Sequence, residues 1–159
     1  MTPADLAPHP EGGRFREVFR SARTLRGAGP AGGDRSACTH IYFHLAAGES
    51  SRWHRVTSDE VWNLYRGALR LWVWDEGEED GPISIDLTAD EGRFCHVVPA
   101  GVWQAAEPLS GETLVGCTVA PGFDFADFTM LHEGDPAADR LSILHADLAR
   151  LLAPAGSKD

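Results

Sequence analysis

Residues 48–67 read GESSRWHRVTSDEVWNLYRG. Within it Glu60, Trp62 and Leu64 alternate with Val61, Asn63 and Tyr65, the two-residue period of a strand with one buried face. Beyond Gly67 the alternation resumes, with Leu69, Leu71 and Val73 against Arg70, Trp72 and Trp74. Working outward, short β-rich stretches recur about every 10 residues between Gly and Pro punctuation, the spacing of an antiparallel sandwich or barrel. They predict strands over 14–20, 39–45, 59–65, 68–75, 83–87, 96–98, 104–106 and 113–119.

Two stretches depart from this pattern. Residues 26–36, rich in Gly and Ala, are expected as a mobile connecting loop. From Asp135 the chain reads as an amphipathic helix over 135–153 that packs on the sheet. Asp135 can cap it, Pro136 suits its first position, Leu141, Leu144, Leu148, Leu151 and Leu152 form its apolar stripe, and Pro154 and Gly156 stop it.

The 159 residues fit a single domain, with 1–38 as an N-terminal strand and loop touching a partner in a homodimer, and 39–125 as the barrel. There are 14 Lys+Arg against 24 Asp+Glu, a net charge of −10, which argues against nucleic acid as a partner. Only residues 1–40 are mildly basic, with 6 Arg against 4 acidic side chains. The N-terminus lacks the basic and apolar regions of a secretory signal, and no run approaches the roughly 18 apolar residues of a membrane span. A cytoplasmic protein is expected. Cys38, Cys95 and Cys117 are odd in number and show no metal-binding spacing, so buried packing is their expected role. The acidic run 76–80 is expected as a solvated hairpin tip.

All five tryptophans, Trp53, Trp62, Trp72, Trp74 and Trp103, lie between positions 53 and 103, which implies a dense core or an aromatic-walled cavity.

The separations Gly48, His54, Glu60 and Gly67 resemble the first motif of the cupin superfamily, with Val56 where that motif has its second His. Gly92, then Pro99-Ala100-Gly101 and Gln104 resemble the second, with an amide where a His is common and a leading gap one residue longer than usual. A fuller resemblance, to the DUF985 or "cupin 5" family, spans nearly the whole chain. It runs through His9-Pro10-Glu11-Gly12-Gly13, Thr39-His40-Ile41-Tyr42-Phe43, Trp53 to Trp62, Val98 to Ala106 and Val115 to Phe125. It implies an all-β double-stranded β-helix, a conical β-barrel or jelly roll, usually dimeric, holding a small-molecule pocket.

Cupin metal sites use three His and one Glu, so the resemblance leaves His54, Glu60 and Gln104 as a depleted set for Mn, Fe, Ni or Zn, with His40, His44 and His96 as substitutes. Used without metal, the same residues make His54 a general base tuned by Glu60, and Tyr42 or Tyr65 a proton donor. Trp62 and Trp103 are expected to wall the pocket beside Val56 and Gln104, with Trp53, Trp72 and Trp74 in the core or an interface. The turn carrying Glu11, an expected ligand-binding residue, either needs glycine's backbone freedom or closes the pocket of its own or a partner subunit. The expected function is an isomerase, epimerase or lyase acting on a small carbohydrate-like or acidic metabolite; the alternative is a binding module without chemistry.

Overall fold

The computed structural model describes residues 5–156. Residues 1–4 and 157–159, the outer ends of the expected domain, lie outside the described residues. Among the described residues, two antiparallel sheets face one another and a two-stranded hairpin stands beside them. One sheet orders β1 (Ala7–Pro8), β2 (Arg14–Arg20), β5 (Thr39–Leu45), β12 (Thr113–Ala120), β7 (Asp59–Arg66) and β10 (Cys95–Val98). The other orders β13 (Phe128–Met130), β6 (Ser51–Val56), β11 (Trp103–Pro108), β8 (Leu69–Trp74) and β9 (Ile83–Leu87). This is the expected all-β jelly roll, and consecutive strands β5 to β8 alternate between the sheets. At the β7–β8 crossing Gly67 has φ +82, and a Cβ there would lie 2.4 Å from the Glu112 carbonyl.

Strand parity divides every side chain between the interior and an outer face. Trp62 and Leu64 of β7, Leu69 and Leu71 of β8, Phe43 of β5 and Val115 of β12 point inward and fill one end of the barrel. Trp53, Trp74 and Trp103 lie in a separate cluster on the outer face of the second sheet, under the C-terminal segment. That segment covers Trp74 fully and packs against Trp72, so these two face their own chain's helical tail.

The tail differs from one continuous helix. Helix α1 (Pro136–Leu144) starts with Pro136 in its first turn, but Asp135 directs its carboxylate to the His132 amide and caps nothing. At His145 (φ −154, ψ 79) the helix ends, and a 3-10 segment, Ala146–Leu151, follows. In 3-10 geometry residues three apart eclipse, so Leu148 and Leu151 bury together beneath one turn. Trp53 Nε1 donates to the Leu148 carbonyl at 3.2 Å and ties that turn to β6. Leu144, outside the tightened segment, is left partly exposed.

Strand β6 was not among the strands expected, because Trp53 and His54 are both buried and no two-residue period shows. The 26–36 loop is bracketed by the hairpin β3 (Thr24–Leu25) and β4 (Arg35–Ser36), and Arg35 grips Asp127 with two bonds of 2.7 Å. The acidic run after β8 forms an exposed hairpin tip as expected.

Candidate proton-transfer pocket

A cavity of about 300 Å³ opens between the two sheets at the end opposite the Trp62 core. Its floor is polar, with His54 from β6, Glu60 from β7, Cys117 from β12 and the pair His9 and Glu11 from the N-terminal turn. Apolar walls come from Phe15, Ile41, Val56 and Val119 on the strands and from Phe123 and Phe128 of the segment after β12. Glu17, Arg20, Asp124 and Phe125 form the exposed rim.

The floor follows from parity and one turn. His54 and Val56 share the inner face of β6, and Glu60 shares that of β7 with Trp62. Glu11 arrives from outside the barrel. Gly12, with φ +111, turns the chain so tightly that a Cβ would lie 2.2 Å from the Ser50 carbonyl, and the Glu11 carbonyl accepts from Arg52 N–H at 2.8 Å. The turn that could either need glycine or close the pocket does both.

The hydrogen bonds assign a proton. His54 Nδ1 lies 2.7 Å from the Arg52 carbonyl, which can only accept, so Nδ1 carries a hydrogen, and in the neutral ring Nε2 then has a lone pair. His9 Nδ1 accepts from the Glu11 backbone N–H at 3.4 Å. Glu11 Oε2 stands between these acceptors, 3.2 Å from His54 Nε2 and 3.3 Å from His9 Nδ1, while Oε1 takes the Ser51 hydroxyl at 2.8 Å. A bond from Oε2 to either neutral ring therefore needs a proton on the carboxyl. Such distances would also suit ion pairs, but burial pushes Glu11 up and both His9 and His54 down, which favours the neutral arrangement.

Glu60 is the second carboxyl. Burial pushes its pKa from 4.5 up to about 7, against the opposing pull of His54. Gln104 Nε2 donates to Glu60 Oε2 at 2.6 Å, and Gln104 Oε1 accepts from Trp62 Nε1 at 2.7 Å. Cys117 also hydrogen-bonds Glu60, and burial, then that carboxylate, push its thiol well above the usual range.

Of the residues expected at the site, the structure brings His54, Glu60, Val56 and Glu11 to one cavity. Gln104 is fully buried behind Glu60, and Trp62 lies behind Gln104, so neither walls the cavity. Trp103 is on the opposite face of the second sheet, under Arg55 at 4.3 Å and bonded to Glu76, because β11 turns Gln104 inward and its neighbour outward. Tyr42 lies on the outer face of the first sheet, since Ile41 and Phe43 of the same strand point inward. There its ring meets Tyr65 at 5.8 Å, and His40 links Tyr65 to Thr118. Neither tyrosine reaches the cavity.

The cupin fold implies a divalent metal, and the residues present do not fit one. Both ends of the Gln104 amide are committed, and His54 Nε2 faces Glu11. His44 pairs with Glu112, and His40 and His96 do not line the cavity. Among the described residues no group of three or more His, Cys, Asp or Glu side chains is arranged to hold an ion. Of the expected set, Gln104 bonds Glu60 and Trp62, while His54 faces Arg52 and Glu11.

Sequence reasoning missed His9, Cys117 and the Phe123, Phe125 and Phe128 cluster as pocket residues. His9 and Phe123 stood in stretches that carried the family resemblance, and Cys117 shares the parity of Val115 and Val119; nothing marked Phe128.

Comparison with known proteins agrees with this architecture. The family described as "Cupin superfamily (DUF985)" matches residues 1–131. The uncharacterised protein YML079W of Saccharomyces cerevisiae is 30% identical over 146 residues, covering 82% of this chain and 72% of its own. A hypothetical protein from Leishmania major superposes with a TM-score of 0.76 at 28% identity, covering 95% of this chain and 94% of its own. Protein SO0799 from Shewanella oneidensis does so with a TM-score of 0.75 at 29% identity, covering 97% and 99%. With the matching family spanning most of the chain and the fold shared end to end, this protein belongs to the DUF985 family of the cupin superfamily.

Proposed function

We propose that the pocket binds a small molecule and moves a proton on it, as an isomerase, epimerase or lyase does. One observation carries this reading: two buried carboxyls, Glu11 and Glu60, flank His54 at the floor of one apolar-walled cavity. Each is held by a different partner, Ser51 for Glu11 and Gln104 for Glu60, so the two carboxyls can keep different protonation states. Glu60, poised at about 7, takes a proton from the ligand as a carboxylate. Glu11, carrying the proton it shares with His54, returns one to another atom of the ligand. The proton count of ligand plus floor is unchanged, as an isomerisation requires; in a lyase the returned proton leaves with the departing group. The Phe walls exclude water from the transfer.

The test is solvent exchange. Purified protein in D2O is incubated with a panel of small keto and hydroxy compounds, and deuterium at carbon is followed by NMR. Exchange in the native protein is expected to fall by about 10²–10⁴-fold in Glu60→Gln, which keeps an acceptor for Gln104 but loses the titrating group. Exchange that persists unchanged in Glu60→Gln would overturn proton transfer by this carboxyl. Saturable binding of panel members without exchange would leave a binding module.

A further inference from the structure

The rim and walls of the cavity bear on what it admits, a step that rests on the small-molecule reading above. Four carboxyl side chains line the cavity, Glu11 and Glu60 at its floor and Glu17 and Asp124 at its mouth. Among the described lining residues Arg20 is the lone guanidinium, and it is committed: Nε and Nη2 hold both Glu17 oxygens at 2.9 and 2.8 Å, and Nη2 also reaches the Phe123 carbonyl at 3.1 Å. His9 Nδ1 and His54 Nε2 both face Glu11 Oε2, at 3.3 and 3.2 Å. An anion entering this cavity therefore meets carboxyl oxygens at mouth and floor and a guanidinium already paired with Glu17.

The apolar lining adds a second, independent preference. Phe123, Phe125 and Phe128 meet in a corner, with centroids 5.0 to 6.1 Å apart and planes at 67 to 84°. A guest in such a corner meets ring faces as well as edges, and ring faces carry negative electrostatic potential. His9 already sits in this setting, 5.7 Å from Phe128 and 5.9 Å from Phe125, with a carboxyl beside it.

We propose that the pocket selects a small cationic ligand, a protonated or quaternary amine on a compact apolar body, held by the Phe123, Phe125 and Phe128 corner and by the carboxyls lining the cavity. The amine end lies against the corner and the acidic rim, and the remainder extends toward Glu60 and His54. This choice departs from the acidic metabolites the sequence suggested, because the structure supplies no uncommitted cation among the described lining residues to receive one.

Three probes of one shape test it by calorimetric titration of the full chain: choline, its neutral isostere 3,3-dimethylbutan-1-ol, and 3,3-dimethylbutanoate. Choline is expected to bind about tenfold or more tightly than the alcohol, with the anion weakest. Phe125→Leu, at an exposed rim position where folding is not at stake, should weaken choline several-fold and the alcohol less. Glu17→Gln, which frees Arg20, should shift the order toward the anion. Equal affinity for choline and the alcohol overturns the cationic class while leaving a small-molecule pocket standing. Tighter binding of the anion, or no binding of choline at millimolar concentration, also overturns it. Proton transfer stands or falls separately on the exchange experiment.

Discussion

Gln104 shows what one residue can decide. Its amide is the bridge between the sheets, donating to Glu60 of β7 and accepting from Trp62 of the same strand while its own backbone belongs to β11. A neutral amide can satisfy a carboxyl acceptor and an indole donor at once, which an imidazole in a single tautomer does with less freedom. Gln104→Leu keeps most of the volume and removes both bonds, leaving the buried Trp62 N–H without its acceptor and Glu60 with Cys117 and the cavity alone. The expected cost is about 2–4 kcal/mol, read from urea unfolding. A loss below about 0.5 kcal/mol would show that the bridge does not hold the sheets in register. The amide at this position was visible in the sequence as a departure from the cupin pattern, but its role was not. A ligand and a clamp differ only in where the two ends of the side chain point, and that depends on strands 40 residues apart.

At the scale of elements, parity in β5 and β7 was legible because inward and outward residues differ in polarity. Applied strictly, the parity of β5 would also have turned Tyr42 outward, since Ile41 and Phe43 are the apolar pair. Strand β6 escaped notice because both its faces are buried, one in the pocket and the other under the helical tail. The contribution of the N-terminal turn was legible only as two alternatives, since nothing local places Glu11 beside a histidine 43 positions later. Gly12 is the control point of that element. Gly12→Ala sets a Cβ against the Ser50 carbonyl in a backbone conformation that L residues rarely adopt. The turn must shift, and Glu11 with it. The expected result is a loss of about 2–3 kcal/mol in chemical denaturation together with loss of choline binding. Unchanged stability and unchanged binding would mean that the turn does not hold Glu11 in the floor.

Across the whole molecule, the buried floor makes stability depend on pH in a direction opposite to that of most acidic proteins. Salt-bridged surface carboxyls such as Asp86, held low by Arg70, gain stability as pH rises through the acid range. Glu60 does the reverse. Its folded pKa, about 7, lies above the unfolded value of 4.5, so its contribution is fully present below 4.5 and is lost as pH rises through 7. The loss amounts to about 3 kcal/mol at the limit, and Glu11, also raised by burial, acts with the same sign. His9 and His54 oppose this below neutrality, because their folded values are lowered from 6.5 and their unfolded forms bind protons first. Their influence ends near pH 6.5, so above that point the carboxyls act without them. Urea unfolding of the native chain should show stability peaking on the acid side of neutrality and declining between pH 6.5 and 8. Glu60→Gln should flatten that decline, gaining on the native chain by up to about 3 kcal/mol from pH 5 to pH 8. A native profile that rises through pH 8, or a variant that tracks it in parallel, would mean that burial does not raise Glu60 in the folded protein, leaving it an ordinary carboxylate and a weaker base than proposed.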